Sequence, residues 1–300
     1  MNNELLTAMA EAGVTPALPL TLNLNGEIQR FQVDSDKNGS LNGWIVSYSS
    51  NLDDGVFVFG SWKDGTKHTF SNRGYSANDS TLRIKIEAAR REVLKLKEYQ
   101  QRQAANDCFK QWEEAQPVKS HSYLLAKKIQ SHIARIDSNN CLLIPVVSLD
   151  GCLSSLQFIS PNGGKSFKKG GKITGCFCPI GYEDNSDVVL ICEGFATGAT
   201  LREASSLPVI VAFNAGNLKT VAATIRLNRP NAKLIICADN DHTNQKQNIG
   251  LIKGEQAAKQ VGATLTYPHF AANDNGTDFN DMACTYGLGA ITGYLMEVAV

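Results

Sequence analysis

The stretch LIICADNDHT, residues 234–243, begins as an apolar run and ends in two carboxylates, Asp239 and Asp241. A short continuous apolar run of this kind reads as a strand buried on both faces of a parallel sheet. Side chains two apart on an extended chain point to the same side. Both negative charges therefore face one point, an arrangement that is costly unless a cation sits there.

The surrounding sequence repeats the strand. VVLIC (188–192) precedes the helical TGATLREASS (197–206), PVIVAF (208–213) precedes NLKTVAATIRLN (217–228), and KLIICA (233–238) precedes IGLIKGEQAAKQV (249–261) and ATLTY (263–267). Strands alternating with helices at this spacing predict a parallel sheet with right-handed crossovers. Ligands of such sheets bind outside the carboxyl ends of the strands. Glu193 follows the first strand, Asp239 and Asp241 the third, and Asp278 and Asp281 (in NGTDFNDM, 275–282) follow the fourth. Oxygen ligands of this type suit magnesium or manganese, not zinc. Each acid also has an ordinary reading by itself. Glu193 could favour a helix N-terminus by its charge, the Asp239/Asp241 pair could form an Asx turn, and Asp278 could cap the helix that FNDMACTYG begins.

Upstream of this unit, residues 20–75 show short alternating runs (GEIQRFQV, GWIVSYS, GVFVFGSW) broken by turn residues, which predicts a small β-rich domain. Its aromatic residues, Phe31, Trp44, Tyr48, Phe57, Phe59, Trp62 and Phe70, read as a packed core or as a base-stacking surface. From Thr81 to about Ala115 the text lacks Gly and Pro and is rich in helix formers, so a long helix between two domains is expected, its basic residues on a solvated face. Residues 119–186 predict a mixed region: a helix (HSYLLAKKIQSHI), then CLLIPVVS and CLSSLQFIS joined as a hairpin at Leu149-Asp150-Gly151. After it comes PNGGKSFKKGGKITGCF (161–177). GGKS within it fails the ATPase loop pattern, because Ile159 stands where that pattern needs glycine. Lys165, Lys168, Lys169 and Lys172 read either as solvated turn lysines or as cations projecting from a hairpin beside the acids to hold polyanions. The N-terminus reads as a short amphipathic helix and not an export signal, and no apolar run is long enough to span a membrane. Twenty-nine acids balance 29 bases, so global charge favours no partner class. The eight cysteines include no C-x2-C pair and read as reduced, cytoplasmic thiols.

EGFATGAT (193–200) followed by ADND (238–241) resembles a TOPRIM domain, the fold shared by bacterial-type primases, topoisomerases and some nucleases. The resemblance implies a catalytic role for Glu193 and magnesium binding by Asp239 and Asp241. TDFND resembles a segment of plasmid- and phage-borne primases and carries over Asp278, then Asp281, as acidic groups near the metal. HSYLLAKKI, LLIPV, SLQFI and the lysine loop are similar to the block preceding TOPRIM in mobile-element primases, and RFQVDSDKNGSLNGWIVSY to their leader region. A zinc-binding module and a fused helicase, present in many relatives, have no counterpart in this sequence.

What the resemblance implies is an α/β protein: a TOPRIM-like parallel sheet flanked by helices (187–300), preceded by a mixed α+β subdomain (119–186), a helical linker (79–118) and a small β-rich domain (1–78). The expected activity is a magnesium- or manganese-dependent DNA primase, a nucleotidyltransferase of a mobile element. It would make RNA primers on single-stranded DNA from ribonucleoside triphosphates, with a replicative helicase on a separate chain. Thr197 and Gly198, in the first turn of the next helix, would offer backbone N–H groups to a phosphate. The alternatives are a TOPRIM nuclease, in which water replaces the 3′ hydroxyl, and a non-catalytic single-strand-binding accessory. A topoisomerase is disfavoured, since no catalytic-tyrosine context is evident.

Overall fold

The computed structural model describes residues 3–24, 26–48, 55–63, 65–72, 80–182, 186–242, 248–271 and 274–299. The side chain of Tyr48 and the β-rich stretches at 49–54 and 73–75 lie outside the described residues. The chain divides into two compact units, Met1–Gln100 and Gln101–Val300.

In the first unit, helix α1 (Asn3–Glu11) precedes four strands, β1 (Gln29–Phe31), β2 (Gly43–Tyr48), β3 (Val56–Ser61) and β4 (Thr66–Ser71). They pair antiparallel in chain order. One face of the sheet supplies Phe31, Ile45, Phe57 and Phe59 to a core closed by Leu5 and Met9 of α1. Of the aromatics flagged in the sequence, three are thus core and Trp62 is 54% exposed. Helix α2 (Ser80–Glu114) follows.

The second unit contains two sheets. Strands β5 (Gln116–Pro117), β6 (Arg135–Ile136), β7 (Leu142–Val147), β8 (Leu153–Ile159) and β9 (Lys165–Phe167) form an antiparallel sheet in that order, with helix α3 (Ser122–Lys127) between the first two. The β7–β8 hairpin turns at the Asp150-Gly151 pair, where Gly151 adopts φ +80°. On the other side of this sheet, Cys108 of α2 packs with Leu143 and Leu156.

The second sheet contains β10 (Cys178–Ile180), β11 (Val188–Cys192), β12 (Val209–Val211), β13 (Lys233–Cys237) and β14 (Thr264–Thr266), in the order β10-β12-β11-β13-β14. All but β10 are parallel. Helices α4 (Phe195–Ser205), α5 (Ala215–Asn228) and α6 (Ile249–Val261) make the crossovers, and α7 (Phe279–Tyr286) and α8 (Leu288–Ala299) follow. Alternate residues of each central strand enter different cores. Leu190, Cys192, Ile235 and Cys237 pack on the side of α4, α7 and α8. Val189, Ile191, Leu234 and Ile236 pack on the side of α5 and α6. The fold class read from the sequence is therefore the one observed. No helix among the described residues is long and apolar enough to cross a membrane.

Asn217, buried in the first turn of α5, ties the loop before β10 to the sheet. Its Oδ1 accepts from Gly175 N at 2.8 Å, and its Nδ2 lies 2.9 Å from Ala212 O and 3.0 Å from Cys176 O. Asn217→Ala strands these buried groups and is expected to cost roughly 2–4 kcal/mol. Urea denaturation, read with an unchanged m value, checks it; a loss within error would show that water replaces the amide.

Candidate active site

Glu193 and Asp239 emerge side by side because β11 and β13 are neighbours, in a register that pairs Cys192 with Cys237. From β11 the chain crosses to β12 on one side and then returns to β13 on the other. That reversal is the topological switch point at which open α/β sheets hold ligands.

The corner after β13 is clamped by its middle residue. Asn240 is buried, its N–H donates to Thr277 O at 2.7 Å, and its Nδ2 donates to Pro268 O at 2.8 Å. Asn248, the N-cap of α6, donates to Asn240 Oδ1 at 2.8 Å and accepts from Asp241 N at 3.1 Å. Helix α6 approaches the corner closely: a Cβ on Gly250 would lie 2.7 Å from the Asp239 carbonyl oxygen. With Asn240 turned into protein, the flanking carboxylates are left to the other side.

Burial first, and neighbouring carboxylates second, raise the pKa of Glu193, Asp239 and Asp278. Glu193 is pushed up to about 7, mainly by burial and then by Asp241 and Asp278, against a hydrogen bond from the Ala215 N–H. Asp239 is pushed up to about 8 by burial, then by Glu193, Asp278 and Asp241, against Lys165. Asp278 is raised by burial and by Asp281, against the Asp281 N–H, Lys127 and Thr197. Glu193 Oε1 and Asp239 Oδ1 are shut off from solvent and have no hydrogen-bond partner. Orphaned, mutually repelling carboxylate oxygens fit a hard divalent cation. Among the described residues, however, no three His, Cys, Asp or Glu side chains already converge as a metal cage.

Asp278 has the capping role read from the sequence and also lies close to the other acids. It caps α7, its Oδ1 accepting from Asp281 N at 2.8 Å, and it also belongs to the acidic cluster. Its Oδ2 accepts from Thr197 Oγ1 at 3.1 Å. Asp281 turns away to accept from Thr277 N at 3.1 Å and to pair with Lys127 Nζ at 3.2 Å.

The expected phosphate contact at Gly198 is corrected: its N–H donates to Gly194 O at 2.9 Å within α4 and is spent. A Cβ there would meet Val211 Cγ2 at 2.5 Å, so the glycine serves close helix–sheet packing. The lysine loop divides. Lys165 Nζ lies 5.7 Å above the Tyr123 ring and is felt by Asp278 and Asp239. Burial of its ammonium end and the nearby Lys127 push its pKa down, although the residue as a whole is exposed. Lys168 instead pairs with Asp107 of α2 at 3.2 Å, and Lys169 and Lys172 are exposed on the loop. Two residues of α3 escaped the sequence reading, Lys127 and Tyr123. Tyr123 is 5% exposed, its hydroxyl lacks a partner, and burial and Asp278 push its pKa up to about 12. The double lysine in HSYLLAKKI was the only signal for the former.

Residues 188–288, which carry Glu193 and the four aspartates, match the family model described as Toprim domain. The match covers 101 of the chain's 300 residues. Over 265 residues the protein is 30% identical to a DNA primase TraC of Escherichia coli, covering 84% of this chain and 18% of that protein. A second Escherichia coli DNA primase TraC is 28% identical over 265 residues, covering 84% of this chain and 25% of that one. The chain thus spans a quarter or less of the length of these relatives. Among solved structures, the zinc-binding and RNA polymerase domains of the Aquifex aeolicus primase align with a TM-score of 0.45 at 11% identity, over 87% of this chain and 80% of that one.

The raised carboxyl pKa values carry a sign. A carboxyl whose folded pKa exceeds its unfolded value contributes stability below the unfolded pKa, and that contribution is lost as pH rises through the folded value. For Glu193 and Asp239 the loss runs from about pH 4 to about pH 8. Metal-free protein is expected to melt lower at pH 8.5 than Asp239→Asn protein, with the gap closing at pH 5.5 where wild type is protonated. Added magnesium should raise the wild-type melting temperature more at pH 8.5 than at pH 5.5. Thermal melts in EDTA and in magnesium check both, and a pH-independent gap would remove the charge explanation.

Proposed function

We propose that this chain is the catalytic part of a DNA primase of a mobile element, joining ribonucleotides on a single-stranded DNA template. The observation that carries the reading is the pairing of two orphaned, buried carboxylate oxygens, on Glu193 and Asp239, with cations arriving from another sheet, above all Lys165. A centre that holds both carboxylates and lysines suits a substrate that is itself a polyanion carried with a metal ion. The similarity to the TraC primases, which covers 84% of the chain, supports the same reading.

In this reading Glu193, Asp239 and Asp241 hold magnesium or manganese, with Asp278 beside them. Bound there, the ion would lower the pKa of the attacking hydroxyl and offset charge on the phosphoryl oxygens. Glu193 Oε1, unpartnered, accepts a hydrogen bond from the 3′ hydroxyl and orients it. Thr197 fixes Asp278 through its hydroxyl. Lys165 and Lys127 hold phosphate oxygens, and Tyr123, which stays protonated, offers a neutral O–H to the same centre. Lys169 and Lys172 reach the template from the exposed loop, and Lys168 steadies that loop on α2. The same reading gives 187–300 to catalysis, 119–186 to the lysine-bearing subdomain, 79–118 to a linker and 1–78 to a separate domain. It places the protein in the cytoplasm with a helicase on another chain as its partner.

The test is incubation with single-stranded DNA, labelled ribonucleoside triphosphates and magnesium. Wild type is expected to make new oligoribonucleotides, and Asp239→Asn and Glu193→Gln to lose at least 100-fold, an order-of-magnitude expectation for removing charge at a metal centre. Shortened DNA without new RNA would convert the reading to a nuclease.

Lys165→Met is expected to raise the nucleotide KM several-fold, with a smaller effect on kcat, because it removes charge that binds substrate before the transition state. Steady-state kinetics over a range of nucleotide concentrations decide this. An unchanged KM with depressed kcat would move Lys165 from substrate binding to the chemical step.

A further inference from the structure

The open face of the amino-terminal sheet carries a second arrangement of chemistry-bearing residues. The register aligns Arg30, Trp44, Gly60 and Lys67 side by side across β1, β2, β3 and β4. Their sequence neighbours Phe31, Ile45 and Phe59 enter the apolar core. Alternation along each strand therefore puts the row on the opposite face. Gly60 makes room in that row: a Cβ there would lie 2.9 Å from Trp44 Cζ2, so the indole reaches across the strand at the one position without a side chain. Trp62, two residues further on, holds its ring 5.5 Å from that of Trp44 at an interplanar angle of 37° and is 54% exposed.

The two ends of the row are cationic and exposed. Arg30 is anchored through Nε, which donates to Leu41 O at 2.9 Å. Lys63, next to Trp62, is paired with Asp36 at 2.9 Å and adds no net charge. An exposed indole backed by a second one, between an arginine and a lysine on one sheet face, combines a stacking plate with phosphate-neutralising groups. Val46 and Val58, on the same face, are buried and half-buried, and the exposed positions beside the tryptophans include Arg30, Lys67 and Thr69.

We propose that this face binds single-stranded DNA, a base stacking on Trp62 and the flanking phosphates meeting Arg30 and Lys67. The site lies in the first unit and does not depend on the phosphoryl-transfer reading of the acidic centre.

The experiment uses the full chain and a fluorescein-labelled oligo(dT), followed by fluorescence anisotropy in EDTA so that the carboxylate centre holds no metal. Trp62→Ala is expected to weaken binding roughly tenfold, and Trp62→Phe to restore most of the loss. The double variant Arg30→Ala/Lys67→Ala should weaken binding and flatten the dependence of log K on log salt by about 0.7 per removed contact. Variants that melt like wild type yet bind with wild-type affinity would overturn the proposal. So would a Trp62→Ala loss that tracks a lowered melting temperature and is not rescued by phenylalanine. Unaltered DNA affinity with loss of a bound protein from Trp62→Ala would overturn it in favour of a protein-docking face. Failure of wild type to make primers would sink the catalytic reading and leave this measurement standing.

Discussion

The burial of Glu193, Asp239 and Asp278 close to one another is the constraint on which the acidic centre of the second unit depends. Carboxylates left to themselves would separate into water, where their interaction is weak. Here they cannot, because each is fixed at its root by something rigid. Glu193 and Asp239 are set by the in-register ends of two neighbouring buried strands. Asn240 locks the corner between Asp239 and Asp241, and the missing side chain of Gly250 lets α6 close over it. Asp278 is set by its duty as a helix cap. Burial then keeps solvent from screening the charges, and the carboxyl pKa values stay raised.

The antiparallel sheet has a complementary task. Helix α3 and the β8–β9 turn are joined by Ser122 Oγ donating to Pro161 O at 2.7 Å. Tyr123 lies beneath that turn, 3.7 Å from where a Cβ on Gly163 would be, and carries the Lys165 ammonium over its ring. Lys127, at the end of the same short helix, is held by Asp281. Glu193 and Asp239 come from strand ends of one sheet, Asp278 from a helix cap, and the cations from a helix and hairpin associated with the other sheet, so neither set is complete without the packing of the two. Backbone pairing between Val147 and Phe177 helps to fix that packing.

What was legible in the sequence follows from how local each signal is. The parallel sheet could be read because buried strands are continuous apolar runs and their crossover helices are amphipathic, properties written in adjacent residues. The acids could be located because they follow those strands directly. Lys127 and Tyr123 were not legible: they stand at least 110 residues before Asp239 and Asp241, and only the packing of α3 brings them to the acidic centre. Lys168 and Lys165 looked equivalent in GGKSFKKGG, yet strand alternation sends Lys168 to Asp107 and Lys165 toward the carboxylates. Gly198 read as a phosphate contact because it lies near a helix N-terminus. It is the fourth helical residue, one step past the orphan N–H groups, and that count decides its role.

The charge balance of the centre is uneven. Lys165 faces Asp278 and Asp239, while Lys127 is already paired with Asp281. Burial of the Lys165 ammonium end and the nearby Lys127 weaken that lysine as a counter-ion. Glu193 and Asp239 are each left with a buried oxygen that no protein donor reaches. The packing that brings the acids together thus does not by itself neutralise them.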